Sequence, residues 1–179
     1  MRVLIDANVL YPTVMREVVI GCAKAGLFQP RWSARICEEW ALAARKLSPA
    51  QEIWARGEIA TLNATFPSAL VTWQPALEAR LWLPDPNDVH VLAAAVAGHC
   101  DAVLTMNAQD FPRNVLAEEG VQRVDPDNFL MDLRAKAPDA VEAVMAAVTA
   151  EATRLSGEPW TAQKLLKKSR LHRMARAFS

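Results

Sequence analysis

Six acidic residues in this 179-residue chain fall where carboxylates can do chemistry. Asp6 closes the apolar run Val3-Leu4-Ile5, and Asp110 follows the run Ala102-Val103-Leu104-Thr105 by one short loop. Asp85 and Asp88 open a helix and stand one turn apart, on one face of it. Glu38 and Glu39 sit in a helical stretch among apolar neighbours. Carboxylates brought together repel unless a cation joins them. Hard oxygen donors suit Mg²⁺ or Mn²⁺, and no His or Cys cluster with zinc spacing is present. Singly, each acid has an ordinary structural use. Asp85 can be a helix N-cap, and Asp88 can favour the helix dipole. Asp6 can form a turn with Asn8, Asp110 can form one before Phe111-Pro112, and Glu38 and Glu39 can line a solvated face. The joint placement is what points to a metal site.

Such placement requires elements that end at one edge. Val3-Leu4-Ile5 reads as a strand buried on both faces. Tyr11-Pro12-Thr13 opens a helix to about Gly26, and a second helix runs from about Ala34 to Leu47. Ser48-Pro49-Ala50-Gln51 has the signature of a helix start, with Ser48 as N-cap, and that helix extends to about Ala64. Strands are expected at 69–72, 102–105 and 121–124, with helices from Asp85 and over 113–119. Alternating strands and helices imply a parallel sheet in an α/β sandwich, whose ligand edge lies beyond the strand carboxyl ends. After Pro126 only helices are expected, over 129–135, 139–155 and 161–177.

Composition narrows the class. Hydrophobic residues make up 52% of the chain and formal net charge is zero, which excludes a disordered chain and a globally basic nucleic-acid binder. The charge is uneven: residues 157–179 carry Lys164, Lys167, Lys168, Arg170, Arg173 and Arg176 against Glu158, a balance of +5 that leaves −5 on the rest. Cys22, Cys37 and Cys100 are widely spaced and read as reduced thiols. The apolar run after Arg2 is too short for a signal peptide, and no stretch approaches the roughly 20 apolar residues of a membrane span. A cytoplasmic location is expected. The histidines His90, His99 and His172 are assigned no catalytic duty, and the six tryptophans are assigned to core or interface.

Four segments, in order, resemble the motifs of PIN domains. Leu4-Ile5-Asp6-Ala7-Asn8 is similar to their first motif. Ser33-Ala34-Arg35-Ile36-Cys37-Glu38-Glu39 is similar to the second, in which a serine precedes the glutamate by six residues, a spacing that selects Glu39. Asp85-Pro86-Asn87-Asp88 with its small-residue helix resembles the third, and Thr105-Met106-Asn107-Ala108-Gln109-Asp110-Phe111 the fourth. The chain departs from many members at Asn107, where an acid is common, and the fourth acidic role passes to Asp110.

The resemblance implies a three-layer α/β/α sandwich with a short central parallel sheet over residues 1–125. A C-terminal helical extension over 126–179 would pack on or beside it, as in one VapC-like toxin branch. It also implies an Mg²⁺- or Mn²⁺-dependent endoribonuclease, commonly the toxin of a toxin–antitoxin pair, leaving a 5′-phosphate and a 3′-hydroxyl. Asp6, Glu39, Asp88 and Asp110 would be catalytic metal ligands, with Asp85 beside them and Asn8, Ser33, Thr105 and Asn107 in support. Lys164, Lys167, Lys168, Arg170 and Arg173 are candidates for holding the RNA backbone. An antitoxin and a second copy of the chain are the expected protein partners, and no membrane is. Two alternatives remain: a catalytically silent RNA- or partner-binding module, and a phosphohydrolase with Asp6 as nucleophile, for which Asn8 stands where a second aspartate is usual.

Overall fold

Three consecutive apolar residues, Val3, Leu4 and Ile5, are each fully buried, and they form the centre of a sheet. The computed structural model describes all residues, Met1–Ser179. Along the chain run β1 (Arg2–Ile5), α1 (Ala7–Leu10), α2 (Thr13–Lys24), β2 (Gln29–Arg31), α3 (Ala34–Arg45), α4 (Pro49–Thr65) and α5 (Pro75–Arg80). A 3₁₀ turn at Pro86–Asp88 leads into α6 (Val89–Ala97), then β3 (Ala102–Leu104), α7 (Arg113–Glu118) and β4 (Gln122–Val124). Four helices follow: α8 (Pro126–Lys136), α9 (Pro138–Ser156), α10 (Ala162–Lys168) and α11 (His172–Ala177). The strands pair in parallel in the order β2-β1-β3-β4, which makes this the α/β fold with a short parallel sheet that the alternation of elements implies.

The chain divides into two compact units, Met1–Tyr11 with Gln29–Val124, and Pro12–Phe28 with Asp125–Ser179. The first holds the sheet. Leu4 pairs with Val103 and Ile5 with Leu104, so the ends of β1 and β3 are in register and Asp6 and Thr105 leave the sheet side by side. Helix α3 buries Ile36, Cys37, Trp40, Ala41 and Ala44, the one-sided spacing of an amphipathic helix. Trp32 is buried with its indole N–H donating to Asn63 Oδ1 at 2.8 Å, which satisfies the polar end of a core aromatic.

In the second unit, α2 buries Met15, Val18, Val19 and Cys22. Gly21 permits a close approach to α9, since a Cβ there would lie 2.5 Å from Val144 Cγ1. Phe28 meets Phe129 edge-on with ring centroids 5.1 Å apart, and Asp127 accepts from the amides of Arg173 and Met174 at the start of α11. No helix of either unit is long and apolar enough to cross a membrane.

The structure departs from expectation in its strands, in two short helices and at two helix boundaries. The stretch 69–72 is not a strand; only Leu70 forms a bridge, to Trp32, and the second strand is Gln29–Arg31 instead. Pro30 lies in that strand, which is tolerated because β2 is at the sheet edge. The short helices α1 and α5 were not expected. Helix α8 begins at Pro126, because Asp125 accepts from the Asn128 amide and Pro126 suits a first helical position. The expected 161–177 helix is two helices, broken at Arg170, whose φ of 62° is left-handed.

All three cysteines are free and buried, as expected of reduced thiols. Burial pushes the thiols of Cys22 and Cys100 up to about 11 and that of Cys37 up to about 12. Thiolate is the reactive form, so the folded protein should resist iodoacetamide or a disulfide reagent at pH 8 and react fully once denatured. Rapid labelling of any one thiol in the native state would contradict this burial.

Candidate metal centre

Asp6 is the N-cap of α1 and is 6% exposed. Its Oδ1 accepts from the Ala7 amide at 2.7 Å, and its Oδ2 accepts from Asn8 Nδ2 at 2.9 Å and from the Thr105 hydroxyl at 2.7 Å. Asn8 ties the two strand ends together, donating to Thr105 Oγ1 at 3.1 Å while its Oδ1 accepts from the Met106 amide at 3.1 Å. Desolvation by burial raises the Asp6 pKa above the usual carboxylate range, and the nearby Glu39 charge adds to the rise. Hydrogen bonds from Thr105 and Ala7 and the nearby His90 oppose it.

Asp85 caps the 3₁₀ turn through the Asn87 amide, which carries Asp88 around to the strand ends. Carboxylate oxygens of Asp85, Asp88 and Asp110 all lie within 4.8 Å of one another. Asp88 is pushed up to about 6, first by desolvation and then by the charges of Asp6, Asp85, Asp110 and Glu39. Asp6, Glu39, Asp85 and Asp110, distant from one another in sequence, therefore all act on Asp88.

Glu38 and Glu39 part ways on α3. Glu38 is exposed and bound by the two terminal Arg56 guanidinium nitrogens, each at 2.8 Å, which lowers its pKa. Glu39 faces the other acids. Ser33 is buried at the start of the same helix, and its hydroxyl accepts from the Ile36 amide at 3.1 Å, so it positions α3 rather than a carboxylate. Asn107 binds the acids through its amide hydrogens, donating to Asp110 Oδ2 at 2.8 Å and to Asp88 Oδ2 at 3.4 Å. Its Oδ1 accepts from the Asp110 amide, so the side chain supports the acids through the loop.

Lys164, Lys167, Lys168, Arg170 and Arg173 are exposed on α10, α11 and their connection, opposite buried Leu165, Leu166, Leu171 and Met174. Lys168 lies over the Trp160 ring, 5.2 Å from its centroid, and Arg173 bonds to Asn128. A residue that sequence reasoning passed over is His90, fully buried on α6 with Nε2 only 2.6 Å from Glu39 Oε1. Its position two residues after Asp88 was visible, but α3 and α6 meet only through the fold.

The pattern of the PIN-domain family matches residues 2–109. The chain belongs to the PIN-domain family. That segment includes four of the five clustered acids and stops one residue before Asp110. A relative from Mycobacterium tuberculosis, provisionally named ribonuclease VapC50, is 36% identical over 59 residues, which is 33% of this chain and 35% of the relative. The match thus spans about a third of that protein's length. No solved structure matches the chain.

As a PIN domain, the chain presents an oxygen-only donor set at its strand ends. The aspartate trio offers carboxylate oxygens at a spacing a small cation can bridge, and the raised Asp88 marks negative charge that a cation would relieve. The residues fit a hard divalent ion. Without one, folding raises Asp88 above its ordinary value of 3.8, so its contribution to stability is full below that pH and is lost as pH rises through about 6. Melting of chelator-treated protein should show Asp88→Asn gaining on wild type as pH goes from 4.5 to 7.5, by ~1 kcal/mol once solvent screening is allowed for. A difference independent of pH would show that the acids do not strain one another.

Proposed function

We propose that this PIN domain is a metal-dependent endoribonuclease that hydrolyses RNA phosphodiester bonds. The close trio of Asp85, Asp88 and Asp110, with the charges of Asp6 and Glu39 acting on Asp88, is the observation that supports it. Asp6, Glu39, Asp88 and Asp110 would hold Mg²⁺ or Mn²⁺, with Asp85 completing the trio. A divalent ion held there would supply an activated water near neutral pH and would offset charge on the phosphodiester transition state. Asp6 is held in one rotamer by Ala7, Asn8 and Thr105, so its oxygens meet a ligand without further ordering. Asn107 holds the Asp110 carboxylate against Asp88.

An acidic site repels RNA, so phosphates need attraction from elsewhere. The exposed bases of α10 and α11, Lys164, Lys167, Lys168, Arg170 and Arg173, suit that role, with binding that weakens as salt rises. The relative's name supports the ribonuclease reading; we further propose a toxin–antitoxin setting, with a cognate antitoxin and a second copy of this chain as protein partners in the cytoplasm. Residues 1–125 would form the nuclease domain and 126–179 its helical extension.

Asn107, standing where many relatives have an acid, favours a second reading as a silent RNA-binding module. Purified protein with a labelled structured RNA separates the two. Cutting with Mn²⁺ or Mg²⁺ that stops with EDTA and with Asp6→Asn establishes the nuclease. RNA retained without divalent ions, uncut, and bound equally by Asp6→Asn establishes the module.

A further inference from the structure

His90 is the only histidine in the interior, fully buried on α6. Its Nδ1 has no partner, and neither ring nitrogen makes a well-directed hydrogen bond. Burying a polar nitrogen unsatisfied destabilises the fold, which an apolar ring of similar size would not. Packing alone therefore does not call for an imidazole here. Its one polar contact is Glu39, whose Oε1 lies 2.6 Å from Nε2. Two such atoms at that separation repel unless a hydrogen lies between them.

Glu39 has a second suitor. Arg35, one turn earlier on α3, has Nε 4.0 Å from the same Oε1 and is half exposed. An exposed ion pair of that kind holds a side chain only weakly. The contact with buried His90 is the shorter of the two, and Arg35 lies nearer to Glu78, with Nη1 3.4 Å from its Oε1.

We propose that His90 is a positioning residue that anchors Glu39 through Nε2–H and so keeps its carboxylate at the acidic cluster for the divalent cation. The inference rests on the metal-site reading above. Partners of ligating carboxylates commonly change metal affinity by ~10–100-fold when removed. A Gln can place an amide N–H where Nε2 sits, and a Phe cannot.

Mn²⁺ affinity measured by titration calorimetry tests it, with His90→Phe, His90→Gln, Glu39→Ala and the Glu39→Ala/His90→Phe double variant, beside melting of each in chelator. The expected result is an affinity ~10–100-fold weaker in His90→Phe with an unchanged or higher melting temperature. His90→Gln should recover to within ~3-fold of wild type, and His90→Phe should cost nothing further in the Glu39→Ala background. Wild-type affinity in His90→Phe, no rescue by Gln, or a full loss added on top of Glu39→Ala would each overturn the proposal. Absence of Mn²⁺ binding by wild type would instead overturn the metal site itself, and this inference with it. Should His90→Phe not fold, ¹⁵N spectra of metal-free wild type decide: the buried ring must carry hydrogen on Nε2, and its signal must move in Glu39→Ala. A ring with hydrogen only on Nδ1 would refute the anchor.

Discussion

Asp6→Asn is expected to lower RNA cleavage at least ~100-fold, the loss that follows when ~3 kcal/mol of transition-state stabilisation is removed. The change is nearly isosteric, yet it acts on a side chain with every near neighbour already fixed. The Ala7 amide requires an acceptor at Oδ1, and Asn8 donates to Oδ2 with its own oxygen pinned by the Met106 amide. An amide nitrogen placed at Oδ2 therefore meets another donor. That conflict destabilises, while removal of a buried charge stabilises, so folding should change by no more than ~1 kcal/mol. Cleavage of a labelled RNA and thermal melting measured on the same preparation separate the effects. Activity close to wild type in a folded Asp6→Asn protein would refute the assignment of Asp6 to the chemistry.

Phe111→Ala should cost ~3–5 kcal/mol of stability, the range for deleting a fully buried aromatic ring. Phe111 is 0% exposed and immediately follows Asp110. Arg123 fastens the same loop, with Nη1 donating to the carbonyls of Ala108 and Phe111 at 2.7 and 3.0 Å. Removing the ring empties the anchor beneath the Asn107–Asp110 turn, so Asp110 should lose its fixed approach to Asp88. Denaturant unfolding should show the stability loss, and Mn²⁺ titration of the remaining folded protein should show weakened binding. A stability loss with unaltered Mn²⁺ affinity would confine Phe111 to the core and leave the loop's order to Asn107 and Arg123.

The basic C-terminal helices stand on a different footing from the acids. Their positive charges are exposed and repeat along amphipathic segments, a pattern compatible with simple solvation as well as with phosphate binding. The salt dependence of RNA affinity distinguishes these uses, since each phosphate contact adds to the slope.

What the sequence determined by itself was local or dense in signal. A wholly apolar run marked β1, Ser48-Pro49 and Asp85-Pro86 marked their helix starts, and four ordered motifs carried the resemblance that the PIN-domain match bears out. These features depend on a few adjacent residues, whose caps and periodicity act within one turn or strand. Tertiary structure decided what depends on pairing across the chain. Pro30 argues against a strand locally, yet Gln29–Arg31 is one because β1 supplies partners and the sheet edge spares the missing donor. Leu70, in a stretch of strand-like composition, finds only a single bridge. The choice of Glu39 over Glu38 became physical when Arg56 claimed one and His90 approached the other. His90 itself was unreadable as a partner, because the helix that carries Glu39 begins 56 residues earlier and meets it only in the folded protein. Composition sets which elements form; long-range contacts set which side chains face one another, and the candidate site is made of the latter.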